Sequence, residues 1–140
     1  MSKLLERLKD PARSGTYRSS RGEPIAEAVR GSQLDVATVS FRDARGKDGM
    51  LRALAQALAF PEWFGGNWDA LEDCLIDLSW RPADGHVLLL EDFSLSDELG
   101  ILIDVLASSA EFWAARGKPF FAVFIDPQRA LGLADLFRER

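Results

Sequence analysis

The sequence predicts an α/β fold, a three-stranded parallel sheet with helices packed around it. Three observations carry this prediction. His86–Leu90 (HVLLL) and Phe120–Ile125 (FFAVFI) are short, almost continuously apolar runs, the pattern of strands covered on both faces. Leu34–Phe41 (LDVATVSF) alternates and is rich in β-branched residues, as a pleated, half-covered strand requires. The stretches between these runs have helical spacing, and strands joined through helices lie parallel with right-handed crossovers.

Leu4, Leu5 and Leu8 line one side of a short N-terminal helix. Pro11–Pro24 (PARSGTYRSSRGEP) is rich in Gly, Ser, Pro and Arg and reads as an arm or long loop. Ile25–Val29 reads as a helical turn. After the first strand, a helix from Gly46 to Ala59 presents Leu51, Leu54, Ala55 and Leu58 on one face, and Pro61 stops it. A Gly65-Gly66-Asn67 turn opens a second helix that ends before Pro82. A long helix from Asp97 to Arg116 is stopped by Gly117 and Pro119. Pro127–Arg138 reads as a short closing helix. The chain thus divides into an arm over residues 1–33, a body over 34–125 and a tail over 126–140.

With 140 residues, 47% hydrophobic and 28% charged, the composition is that of a soluble globular domain able to bury a core without a staple. No apolar run approaches the roughly 20 residues of a membrane span. The N-terminal MSKLLERLKD lacks the apolar centre of a signal peptide, and a single cysteine excludes an internal disulfide framework. A cytoplasmic protein is expected. The net charge of −5 is unevenly spread. Residues 1–52 hold 11 basic and 7 acidic side chains, residues 53–115 hold 12 acids against Arg81 alone, and residues 116–140 return to +2. A negative potential of this kind disfavours direct nucleic-acid binding and speeds encounter with a basic partner; an acidic solvated surface is the plain alternative.

The stretch Phe60–Trp80, FPEWFGGNWDALEDCLIDLSW, concentrates the asymmetry. Leu71, Cys74, Leu75 and Leu78 recur at helical spacing, while Asp69, Glu72, Asp73 and Asp77 fall on the opposite side. Like charges one turn apart repel by roughly 0.2–0.5 kcal/mol per pair, so this face is built to meet something positive. Asn67 is placed to cap the helix, and Asp69 in the first turn suits the helix dipole without any partner. Trp63, Phe64 and Trp68 flank the glycines in a turn where burial is difficult. Aromatic anchors beside acids form a protein-binding pattern.

Catalytic constellations are thin. His86 stands alone at the start of an apolar strand, without a nucleophile or orienting group nearby in the sequence. Cys74 lies on the apolar helix face, where its acidic neighbours raise rather than lower the thiol pKa. Asp69, Glu72 and Asp73 on one rigid face encircle a cation poorly, and Gly65-Gly66 lacks the lysine of a phosphate loop. No enzyme, metal or cofactor is expected. A carboxylate-based metal-dependent hydrolase is the rival reading from a different class.

The same residues resemble the barstar family of intracellular ribonuclease inhibitors. Pro61, Glu62, Gly65, Asn67, Asp69, Ala70, Leu71, Asp73, Cys74 and Leu75 match the family pattern in register, and the likeness extends from Leu34 to Ile125. The resemblance implies a three-stranded parallel sheet and an acidic helix that, with its leading turn, plugs the active site of a basic extracellular or toxin-type ribonuclease, barnase-like. It implies that Asp73 occupies the target's phosphate-binding centre, that Asp69 faces its basic residues, and that Trp63 packs on it where the family has a tyrosine. Gly65, Gly66, Asn67, Trp68, Glu72 and Asp77 complete the expected partner-binding set. Glu72 replaces an aromatic residue, Gly66 an acid and Trp68 a leucine. The family's glutamate on the long helix has its nearest counterpart in Glu111, one position out of register. Immunity of the producing cell, as an antitoxin, is the implied purpose. A barstar-like module for a basic protein that is not a nuclease is the alternative.

Overall fold

Strands that are apolar at every position need cover on both faces, and the fold supplies it. The structure, a computed structural model, describes residues 2–137. In chain order these form α1 (Lys3–Leu8), a short 3-10 turn (Pro11–Arg13), β1 (Gly15–Ser19), α2 (Glu23–Val29), β2 (Leu34–Ser40), α3 (Gly46–Ala57), α4 (Trp68–Leu75), β3 (Gly85–Glu91), α5 (Asp97–Ala114) and β4 (Phe120–Ile125). The sheet is parallel throughout, in the order β1-β4-β3-β2. The β1-to-β2 connection crosses the whole sheet in one direction, whereas β2-to-β3 and β3-to-β4 step back in the other. Crossovers of one hand must then use opposite faces. They do: α1 and α2 cover one face, and α3, α4 and α5 the other.

Side-chain alternation follows from this. Leu88 and Leu90 of β3 join Phe120, Ala122 and Phe124 of β4 under α3–α5. Val87 and Leu89 join Phe121 and Val123 against Leu8, Ile25 and Val29 from the first two helices. The predicted α/β fold with a parallel sheet and packed helices stands, with four strands in place of three.

The fourth strand, β1, lies inside the segment read as a loop, and residues read as an arm cover one sheet face. The strand's sequence, GTYRS, is short and polar, so its extended form comes from pairing with β4, Gly15↔Phe121 through Ser19↔Ile125, rather than from its own pattern. Its Arg18 is 5% exposed and is satisfied mainly at long range: it donates to the Asp126 carbonyl and the Asp135 carboxylate, and locally to Ser20 Oγ. The predicted closing helix is also absent from residues 127–137; Arg138 lies outside the described residues. Asp126 explains this. Its carboxylate accepts from the backbone N–H groups of Ala130 and Leu131, both at 2.9 Å, and the chain then runs back along β1 to bury Leu136. Such local capture competes with helix formation. Among the described residues no helix is long and apolar enough to cross a membrane.

Candidate functional site

The turn after α3 and the helix α4 form the candidate site. Gly66 adopts φ +71°, a conformation that glycine takes without penalty. It delivers Asn67 to the cap, where Oδ1 accepts from the Ala70 N–H at 2.7 Å. Leu71, Cys74 and Leu75 are fully buried, and they fix the rotation of the helix. At its far end, Trp113 Nε1 of α5 donates to the Leu75 carbonyl at 2.8 Å. What remains outward is Asp69 and Asp73, both exposed and one turn apart. Among the described residues no cation lies within ion-pair distance of Asp69, Glu72, Asp73 or Asp77. Arg81, the one basic residue of the acidic segment, is engaged elsewhere.

The predicted residues divide into three groups. Asp69, Asp73, Asn67, Gly65 and Gly66 are exposed together on the turn and the first two turns of helix. Glu72 and Trp68 are half-buried; the Trp68 indole packs on the core beside α4, as does Phe64, so these two aromatics do find cover. Trp63 does not, and is 57% exposed. Asp77 falls outside the helix on which its spacing placed it. The helix ends at Leu75, and Leu78 takes φ +51° to return its side chain to the core. Asp77 lies in the turn between them. Glu111 is exposed on α5, two residues before the Trp113 that ties α5 to α4.

Burial, then the neighbouring charges of Asp73 and Asp77, push the Cys74 thiol up to about 11. It stays protonated and unreactive at neutral pH. Among the described residues no group of three or more His, Cys, Asp or Glu side chains is arranged to hold a metal ion.

Sequence reasoning missed one polar cluster. Arg81 Nε and Nη2 donate to both oxygens of Asp35, at 2.8 and 2.9 Å, and His86 Nδ1 lies 3.0 Å from Asp35 Oδ2. Burial alone would raise the Asp35 carboxyl; the hydrogen bonds from Arg81 and His86 outweigh it and hold the carboxyl below its ordinary value. Burial drives His86 the other way from a cation, and Asp35 only partly opposes this, so its pKa is lowered. Arg81 and His86 line a cavity of about 480 Å3 at the N-terminal edge of the sheet with Asp77, Trp113 and Lys118. The cluster anchors the segment that follows α4. The only sequence signal was Arg81 itself, a lone cation among twelve acids.

A family model, barstar (barnase inhibitor), matches residues 34–125, well over half of the chain. The chain belongs to the barstar family. That is a family of inhibitors, not of enzymes. No curated protein matches the chain at a significant level. The barstar match runs from the first residue of β2 to the last of β4, so the three predicted strands are those the family model spans. Strand β1 and the helices on the opposite face lie before it.

Proposed function

We propose that this barstar-family chain inhibits a basic, barnase-like ribonuclease by seating α4 and the turn before it in the enzyme's active site. Asp73, in the last turn of the helix, stands in for an RNA phosphate among the target's arginines, and Asp69 meets its neighbouring cations. Asn67, Gly65 and Gly66 let the turn approach closely. Trp63 supplies aromatic contact area, with Trp68, Glu72, Asp77 and Glu111 at the margin. Residues 34–125 carry the recognition. The inhibitor acts in the cytoplasm and protects the producing cell.

One observation carries this reading: two exposed carboxylates, one turn apart and without a cation among the described residues, on a helix whose other side is fully buried. A rigid carboxylate offers the same charge-assisted hydrogen bonds to guanidinium groups as a phosphate oxygen does. Occlusion needs no chemistry from the inhibitor.

The test is titration of the protein into a fluorogenic RNA-cleavage assay of barnase, beside the Asp69→Ala/Asp73→Ala double variant. Wild type should inhibit stoichiometrically and the double variant should not. If neither slows barnase nor any basic ribonuclease from the same cell, the proposal fails. Capture by wild type alone of a basic protein without nuclease activity would favour a binding module over an inhibitor.

A further inference from the structure

We infer that Trp80 is a positioning residue for Trp63, holding that indole as a pre-ordered anchor for the partner; this rests on reading the α4 face as the inhibitory surface. Trp63 sits in a turn beside Gly65 and Gly66 with more than half of its surface in water. An indole so placed would exchange rotamers, and ordering such a side chain on binding works against affinity. Instead its ring meets that of Trp80 at a centroid distance of 6.2 Å and 85°, the edge-to-face arrangement that aromatic pairs favour. Trp80 is itself fixed. Its Nε1 donates to the Leu58 carbonyl at 2.9 Å, and its ring meets Phe60 at 6.1 Å and 89°. Phe60 in turn meets Phe64 at 4.9 Å. The backbone at Trp80 is tied on both sides, by the buried Leu78 before it and by the Arg81–Asp35 clamp after it. Four rings thus form a tier whose only exposed member is Trp63. Trp80 lies beyond the Phe60–Leu75 stretch that carries the motif, and only the fold brings it under Trp63.

The inference separates from mere core packing by a coupling measurement. Dissociation from barnase is measured for Trp63→Ala, Trp80→Leu, Trp80→Phe and the Trp63→Ala/Trp80→Leu pair. Trp80→Leu should speed dissociation about three- to tenfold, with Trp80→Phe intermediate. In the Trp63→Ala background, Trp80→Leu should add nothing further. Additive losses would overturn the inference. A second arm needs no partner. A fluorinated tryptophan at position 63 of the free protein should give one fluorine resonance displaced from that of a solvated indole, and Trp80→Leu should move it to the solvated position. A resonance indifferent to Trp80 would overturn the inference even if barnase binds, and failure to bind barnase would count against the proposed function alone.

Discussion

Replacing Asp73 by alanine should strengthen the free protein while disabling it. Three small terms act on α4 in the same direction. Alanine propagates a helix better than aspartate by about 0.5 kcal/mol. Removal of the charge relieves repulsion with Asp69 one turn earlier, worth roughly 0.2–0.5 kcal/mol. Position 73 also falls in the last turn of Trp68–Leu75, where an acid opposes the helix dipole by about 0.3 kcal/mol at exposed sites. No ion pair within the described residues is lost in exchange. The sum is about 1 kcal/mol of added stability, or roughly 2–5 °C in melting temperature for a chain of this length. Binding should move the opposite way. Truncating one partner of a desolvated charge pair costs about 2–5 kcal/mol, a loss of thirtyfold or more. Calorimetric melting of the free protein and titration against barnase measure the two numbers separately. If Asp73→Ala lowers stability and affinity together, Asp73 is a structural residue and the presented-surface argument collapses. Unchanged affinity with raised stability would leave the acid without the proposed role.

Three further outcomes are expected. Association with a basic ribonuclease should slow steeply between about 0.05 and 1 M salt, because the Debye length falls to about 3 Å, while dissociation changes little; a salt-independent on-rate would remove steering from the account. His86 is held below its ordinary pKa of 6.5, so the unfolded chain takes up its proton first on acidification. Its contribution to stability is therefore complete above pH 6.5 and is lost as pH falls through the folded value, and urea midpoints should show a loss in that window that His86→Phe abolishes. Gly85 has no room for a side chain: a Cβ there would lie 2.5 Å from Pro119 Cγ, 2.8 Å from the Pro119 carbonyl and 2.9 Å from Leu34 Cδ2. Gly85→Ala should destabilise by about 1–3 kcal/mol, whereas Gly100→Ala, in open space within α5, should gain up to about 1 kcal/mol in the same denaturant assay.

What was legible in the sequence was whatever the local chain decides for itself. Val87–Leu90 and Phe120–Ile125 declared buried strands because each position had to be apolar. Asn67 declared a helix start because one side chain can close that cap, and Gly117 declared a stop because it supplies φ +75° after α5. What was not legible depended on partners far along the chain. Tyr17 and Arg18 sit in a strand because β4 lies more than 100 residues away, and Arg18 tolerates burial because Asp126 and Asp135 meet it there. The Asp35–Arg81–His86 cluster likewise spans separations of 46 and 51 residues. Asp77 was misplaced for a subtler reason. The helical spacing of Leu71, Cys74, Leu75 and Leu78 continues past the helix end, since Leu78 reaches the core from a left-handed turn instead.

The ends of α3 and α4 show how so much negative charge stays unneutralised in a folded protein. Every helix leaves its last carbonyls without intrahelical donors, and Lys or Arg in the final turn is a common remedy. Neither α3 nor α4 has a basic residue there. Two indoles serve instead: Trp80 Nε1 reaches the carbonyl of Leu58, just past α3, and Trp113 Nε1 reaches that of Leu75, the last residue of α4. A lysine at either place would satisfy the same carbonyl and bring a positive charge to the edge of the acidic face. An indole satisfies it and brings none. Arg81 is kept from that face by a different route, because both of its bonds go inward to Asp35. The tryptophans and the Asp35 clamp therefore have one electrostatic consequence: among the described residues no cation is brought to Asp69 or Asp73, which is what the proposed function requires.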